Sequence, residues 1–230
     1  MSDTDSFIEE VSEEVRRDRM FDLFRRFGWI AVAAVLLLVG GAAWNEWSRS
    51  KQQTQAEALG DAVVAALQLE DAAQRAVALQ DIQSQTADGQ AIVQLLSAAE
   101  LAADNRASDA LTQLAAVRDN DEVQSIYRQI AAFKFLTIPN SGSSVEDRQS
   151  GLEALISSGS ALRVLAEEQL ALLDIELGNE ADTVVRLQRL LEDSEITSGV
   201  RRRVMQLITS LGATPGEAPS ETPGETSINE

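Results

Sequence analysis

Residues 27–45 read FGWIAVAAVLLLVGGAAWN, nineteen consecutive positions without a charged side chain. At a helical rise of about 1.5 Å per residue, such a run matches a hydrocarbon core roughly 30 Å thick, and in lipid a helix satisfies its own backbone groups. The sequence therefore predicts a transmembrane helix over 27–47. Its ends carry aromatic anchors, Phe27 and Trp29 on one side and Trp44 and Trp47 on the other, where an indole finds both an apolar and a wet neighbourhood. Gly40 and Gly41 read as a pair tolerated by lipid, or as a place where a second helix approaches closely.

Five arginines precede the run (Arg16, Arg17, Arg19, Arg25, Arg26), whereas only Arg49 and Lys51 come closely after it, which places the N-terminus in the cytoplasm. A cleavable signal peptide is the competing reading, with Gly41-Ala42-Ala43 offering small residues for cleavage. The span is longer than the usual signal core of about 7–15 residues, and the region before it is both acidic and basic. Within residues 1–26, Ile8, Val11, Val15, Met20, Leu23 and Phe24 recur at helical spacing, with acids early and arginines late, so an amphipathic helix complementing its own dipole is expected. It serves as a stub that orients the anchor or as a docking site for a cytoplasmic protein.

Residues 52–211 keep a helical period throughout and contain nothing that reads as a strand. Helices are expected over 52–69, 72–84, 90–103, 107–117, 121–137, 144–157, 161–177, 180–192 and 198–210. Turn residues separate them: Asp88-Gly89, Asp104-Asn105, the 139–143 loop, Ser158-Gly159 and Gly178-Asn179, with Ser143 and Glu146 spaced as a capping box. Short helix pairs that cannot bury their apolar faces alone must stack on one another. Ala98 and Ala110 lie twelve residues apart across a turn, the offset of the small residues in tetratricopeptide repeats. A second unit aligns Ala171 with Ala98 and Gly178 with Asn105, but puts Thr183 where Ala110 stood. The spacing of 73 exceeds two repeats, so the loop near Pro139 interrupts the period; an ordinary helical bundle is the alternative.

The chain carries 19 basic and 37 acidic residues, a net charge of −18. Residues 1–26 hold five arginines and eight acids, so the acidity belongs mainly to the residues C-terminal to the apolar run. That balance argues against nucleic acid as a partner. With no Cys and no His, thiol and imidazole chemistry, disulfides and most metal sites are excluded, and no cofactor or small-molecule substrate is expected. The acidic pairs Glu167/Glu168 and Glu192/Asp193 point to different helix faces and are expected to be solvated surface rather than catalytic dyads. Arg201-Arg202-Arg203 is expected to serve a helix near its C-terminal half or to pair with nearby acids, with contact to an acidic partner or lipid as the alternative. Tyr127 and Phe133 are expected in the core and Phe135 beside a groove. Residues 212–230, with three of the four prolines and four glutamates, are expected to be a disordered tail.

The run Phe7-Ile8-Glu9-Glu10-Val11-Ser12-Glu13-Glu14-Val15-Arg16-Arg17-Asp18-Arg19, then Phe24-Arg25-Arg26-Phe27-Gly28-Trp29 leading into a single span, and after it an Ala-rich helical domain, resembles the YfgM-like ancillary subunits of the bacterial SecYEG translocon. The stretch from Ala166 through Gly178-Asn179 to Ile208 is similar to their final repeat-like units, and the resemblance covers residues 6–211. It implies an all-α, single-pass inner-membrane protein, with its tetratricopeptide-like helical-hairpin solenoid in the periplasm. It also implies a non-enzymatic scaffold whose partners are translocon subunits, a membrane-anchored periplasmic chaperone and translocated chains. A coordinator of envelope assembly or cell division with the same kind of domain is the alternative.

Overall fold

A computed structural model describes residues 3–139 and 142–216, with the side chains of 3–28, 31 and 32 outside that description. Among the described residues the chain is all-α. Nine helices succeed one another: α1 (Asp3–Leu67), α2 (Ala72–Gln80), α3 (Ala87–Ala103), α4 (Ala107–Arg118), α5 (Ser125–Thr137), α6 (Val145–Ser157), α7 (Arg163–Glu176), α8 (Glu180–Glu192) and α9 (Ser198–Ser210). The chain divides into two compact units, Met1–Ala58 and Leu59–Glu230.

The three elements expected over 1–26, 27–47 and from 52 onward are one helix, α1. Nothing between residues 3 and 67 stops it: there is no proline, and Gly40, Gly41 and Gly60 have open space around them rather than a turn to make. Among the described residues no helix is long and apolar enough to cross a membrane. Phe27, Gly28, Ala31 and Val32 of the expected 27–47 span lie, as side chains, outside the described residues. So do Arg16, Arg17, Arg19, Arg25 and Arg26, and with them the polar and apolar faces of the amphipathic 1–26 segment.

The second unit is a succession of antiparallel hairpins. Each helix from α2 to α9 packs on the next, and α3 also meets α5 as α7 meets α9. Its apolar core comes in three clusters ordered along the chain. The first is built from α2 to α5 around Leu101, Leu114 and Val117; the next from α5 to α7 around Leu152 and Leu170; the last from α7 to α9 around Leu187, Val204 and Ile208. A core that moves along the chain with its neighbours is the product of stacked helical hairpins.

The 73-residue offset holds in detail at two hairpins. Ala98 and Ala171 are buried, as are Ala110 and Thr183. Asn105 and Gly178 both take a positive φ, 60° and 78°, at the α3–α4 and α7–α8 turns. The bonds Arg106 N–H to Leu101 O (2.8 Å) and Asn179 N–H to Asp174 O (2.9 Å) close equivalent Schellman turns. Thr183 fits the alanine position because its hydroxyl donates to Asn179 O at 2.9 Å, so no buried polar atom is orphaned there. Gly178 supplies the turn and makes no packing contact, since a Cβ added to it would meet nothing within 4 Å. Gly178→Ala is therefore expected to destabilise the unit by about 1 kcal/mol through the left-handed backbone alone. Asn105→Gly is expected to be neutral or slightly stabilising; paired thermal melts check both.

Elsewhere the turns differ from expectation. Asp88 and Gly89 lie in the first turn of α3 rather than between helices. Asp88 accepts from the Gln124 backbone N–H at 2.8 Å and from its side-chain amide, so it caps α5 from α3. A Cβ on Gly89 would stand 2.2 Å from Ser84 Oγ, which explains a glycine inside a helix. The α6 cap is Ser144, one residue beyond the expected Ser143, accepting from Asp147 N–H at 3.0 Å. The first residues of the expected tail are ordered: Gln188 donates to Thr214 O and accepts from Gly216 N–H, both at 2.8 Å. Residues 217–230 lie outside the described residues.

Candidate functional site

Two surfaces stand out, one in each unit. On α1 the described part of the uncharged run is open to its surroundings. Val35, Leu36, Leu37, Leu38 and Val39 are exposed, with Leu37 at 77%. Trp29 and Trp44 are similarly uncovered, and Phe27 lies outside the described residues. A contiguous apolar surface of this kind marks an interaction site. At its far end Trp44 and Trp47 sit with ring centroids 5.4 Å apart, and Lys51 Nζ lies 5.8 Å from the Trp47 centroid. The ladder Trp44, Trp47, Lys51 falls on one helix face at steps of three and four, so the apolar surface ends in amphipathic rings and a cation.

In the second unit a trough of about 610 Å³ opens among α5, α7 and α9. Its apolar lining comes from Phe133 on α5, Leu165 and Leu172 on α7, and Leu207 on α9. Gln169 on α7 and Gln206 on α9 bring carboxamides to it. A second cleft, against α6 and residues 137–139 and 142–143, also has Gln169 and Leu172 in its lining.

The charged side chains on the trough wall pair with each other, whereas Arg148 in the second cleft keeps its Nε without a partner among the described residues. Glu168, 4% exposed, accepts two bonds of 2.6 Å from Arg203, a bidentate pair tying α7 to α9. Arg148 on α6 donates to Glu176 on α7 at 2.6 Å. Behind the trough, Arg186 bridges Glu167 (3.1 Å) and Asp174 (2.9 Å) between α8 and α7. Arg163 holds Asp193 at 2.7 Å and Glu195 at 2.6 Å, tying α7 to the end of α8. Among the described residues no group of three or more acidic side chains converges as a metal site would require.

The acidic pairs are thus not solvated surface throughout. Glu167 and Glu168 do point to different faces, as adjacent helix residues must, but each face meets another helix and each carboxylate meets an arginine. Within Arg201-Arg202-Arg203, Arg203 pairs internally, Arg201 donates to Leu191 O at 2.9 Å, and Arg202 faces outward. Phe133 packs against the α5–α7 core cluster, as expected, and also lines the trough, whereas Phe135 packs against the first core cluster with the Arg118 guanidinium 4.5 Å from its ring. Tyr127 packs against the same cluster.

The Arg163 hydrogen bond, and after it one from the Glu195 backbone N–H, holds the Asp193 carboxyl below the usual carboxylate range. A depressed folded-state value stabilises the fold above the unfolded-state value of about 3.9, and that contribution is lost as pH falls through the folded one. Asp193→Asn is expected to lower the melting temperature at neutral pH. The difference from the parent chain should close as pH falls below about 3.9, read by melts across an acid series.

Compared with known protein families, with curated proteins and with solved structures, the chain matches none.

Proposed function

We propose that the chain is a membrane-anchored, non-enzymatic scaffold whose helical-hairpin unit binds other polypeptides on the far side of an inner membrane from its N-terminus. The observation that carries the anchor is the exposed band Val35–Val39, closed by Trp29 on one side and by Trp44, Trp47 and Lys51 on the other. Hydrocarbon side chains so uncovered are stable in a lipid core and costly in water. In the sequence Phe27 belongs to the same uncharged run, and Arg16, Arg17, Arg19, Arg25 and Arg26 before it set the orientation with the N-terminus in the cytoplasm.

For the hairpin unit, a trough with apolar walls and no unpaired charge supports protein binding rather than chemistry. The resemblance to ancillary translocon subunits supplies the context. The partners are translocon subunits, a membrane-anchored chaperone and chains emerging from the translocon. The experiment is a reporter fused after residue 216 together with alkaline extraction of membranes. The reading expects a membrane-retained protein with the reporter active only in the oxidising compartment; an extractable protein, or a reporter active in the cytoplasm, contradicts it.

A further inference from the structure

The trough lining specifies its occupant more narrowly than a general protein surface does, and this inference rests on the scaffold reading above. We infer that the α5–α7–α9 trough holds an extended, uncharged segment of another polypeptide. Gln169 and Gln206 read its main chain, while Phe133, Leu165, Leu172 and Leu207 receive its side chains.

Three observations lead there. The first is charge. Both ionic groups on the trough wall, Glu168 and Arg203, pair with each other. A charged side chain entering this space would lose its water and gain no counter-ion. The second is the pair of carboxamides: neither Gln169 nor Gln206 is tied up by a described residue, and each presents both a donor and an acceptor. A bound helix has its backbone groups already paired and leaves little for a carboxamide, whereas an extended segment offers free N–H and C=O groups.

The third is a precedent inside the chain. Gln188 on α8 clamps the non-helical 214–216 stretch, donating to Thr214 O and accepting from Gly216 N–H at 2.8 Å each. One glutamine side chain therefore reads two main-chain groups of a non-helical segment in this fold.

The test uses the detergent-solubilised full chain and fluorescence anisotropy with three labelled probes. One is a peptide of alternating valine and serine with lysines at both ends. The second is the same peptide with alternate main-chain nitrogens methylated, and the third is an amphipathic helix-forming peptide. The first probe is expected to bind, and methylation to weaken it about tenfold or more by removing main-chain donors. Gln206→Met should weaken the first probe about fivefold and Leu172→Asp should abolish its binding, with thermal melts confirming that each variant is folded. Absence of binding by the first probe overturns the inference. Equal affinity for the methylated probe, preference for the helical one, or unchanged binding by both variants does so as well. Capture of translocated chains in membranes without binding of these probes overturns this inference and leaves the scaffold reading standing; tight probe binding with no polypeptide captured in membranes overturns the scaffold reading instead.

Discussion

Arg203→Met is expected to lower the stability of the hairpin unit by about 2–3 kcal/mol, one of the largest single-site effects in the domain. Glu168 is 4% exposed, and its only ionic partner among the described residues is the Arg203 fork, both bonds being 2.6 Å. Removing one member of a buried pair strands the other charge, at a typical cost of roughly 3–5 kcal/mol. Arg203 itself is half exposed, 52%, so water reaches the carboxylate and the cost falls toward the lower figure. The double variant Glu168→Leu/Arg203→Met is expected to regain most of the loss, because neither charge is then buried. Denaturant melts of the four chains form the cycle; an Arg203→Met effect below about 0.5 kcal/mol would mean that the pair is a surface contact.

Two leucines separate the units. Leu187 is fully buried between α7, α8 and α9, and Leu187→Ala is expected to cost about 3 kcal/mol, or roughly 6–12 °C in melting temperature. Leu37 is 77% exposed on α1, in the other compact unit. Leu37→Arg is expected to leave the hairpin melt unchanged within about 0.5 kcal/mol. It should instead raise the alkali-extractable fraction, because arginine at the centre of a span costs about 2.5–3.5 kcal/mol of insertion. A hairpin unit destabilised by Leu37→Arg, or a membrane fraction lost with Leu187→Ala, would contradict this division.

The helical period in residues 52–211 was readable because each hairpin helix buries one stripe, and the observed helices α3 to α9 begin or end close to where that stripe does. Turns set by a left-handed residue were readable too, at Asn105, Gly159 and Gly178. The features that stayed hidden depend on neighbours distant in sequence or on side chains that only the fold brings close. Gly89 reads as a turn residue until Ser84 is found against it, and Gly151 gives no local sign of the Leu136 side chain lying on it. Glu168 reads as surface because its partner lies 35 residues away. The trough left a trace that the core pattern masked. On α7, Leu165, Gln169 and Leu172 fall at steps of four and three, beside the core positions Val164 and Ala171. A helix with a second apolar stripe has a second surface to cover. Phe133 and Phe135, two residues apart on one helix, meet different core clusters; spacing gave Phe133 its core contact but not its place on the trough wall.

The most direct test of a membrane-tethered, polypeptide-binding scaffold is a photo-crosslinking residue placed at Leu172, activated in intact cells, with the captured proteins identified by mass spectrometry. The account predicts crosslinks to translocon subunits, to a membrane-anchored chaperone or to chains in transit, reduced when Gln206→Met is also present. Crosslinks confined to cytoplasmic proteins, or none above a control position on the outer face of α9 such as Arg202, would contradict it.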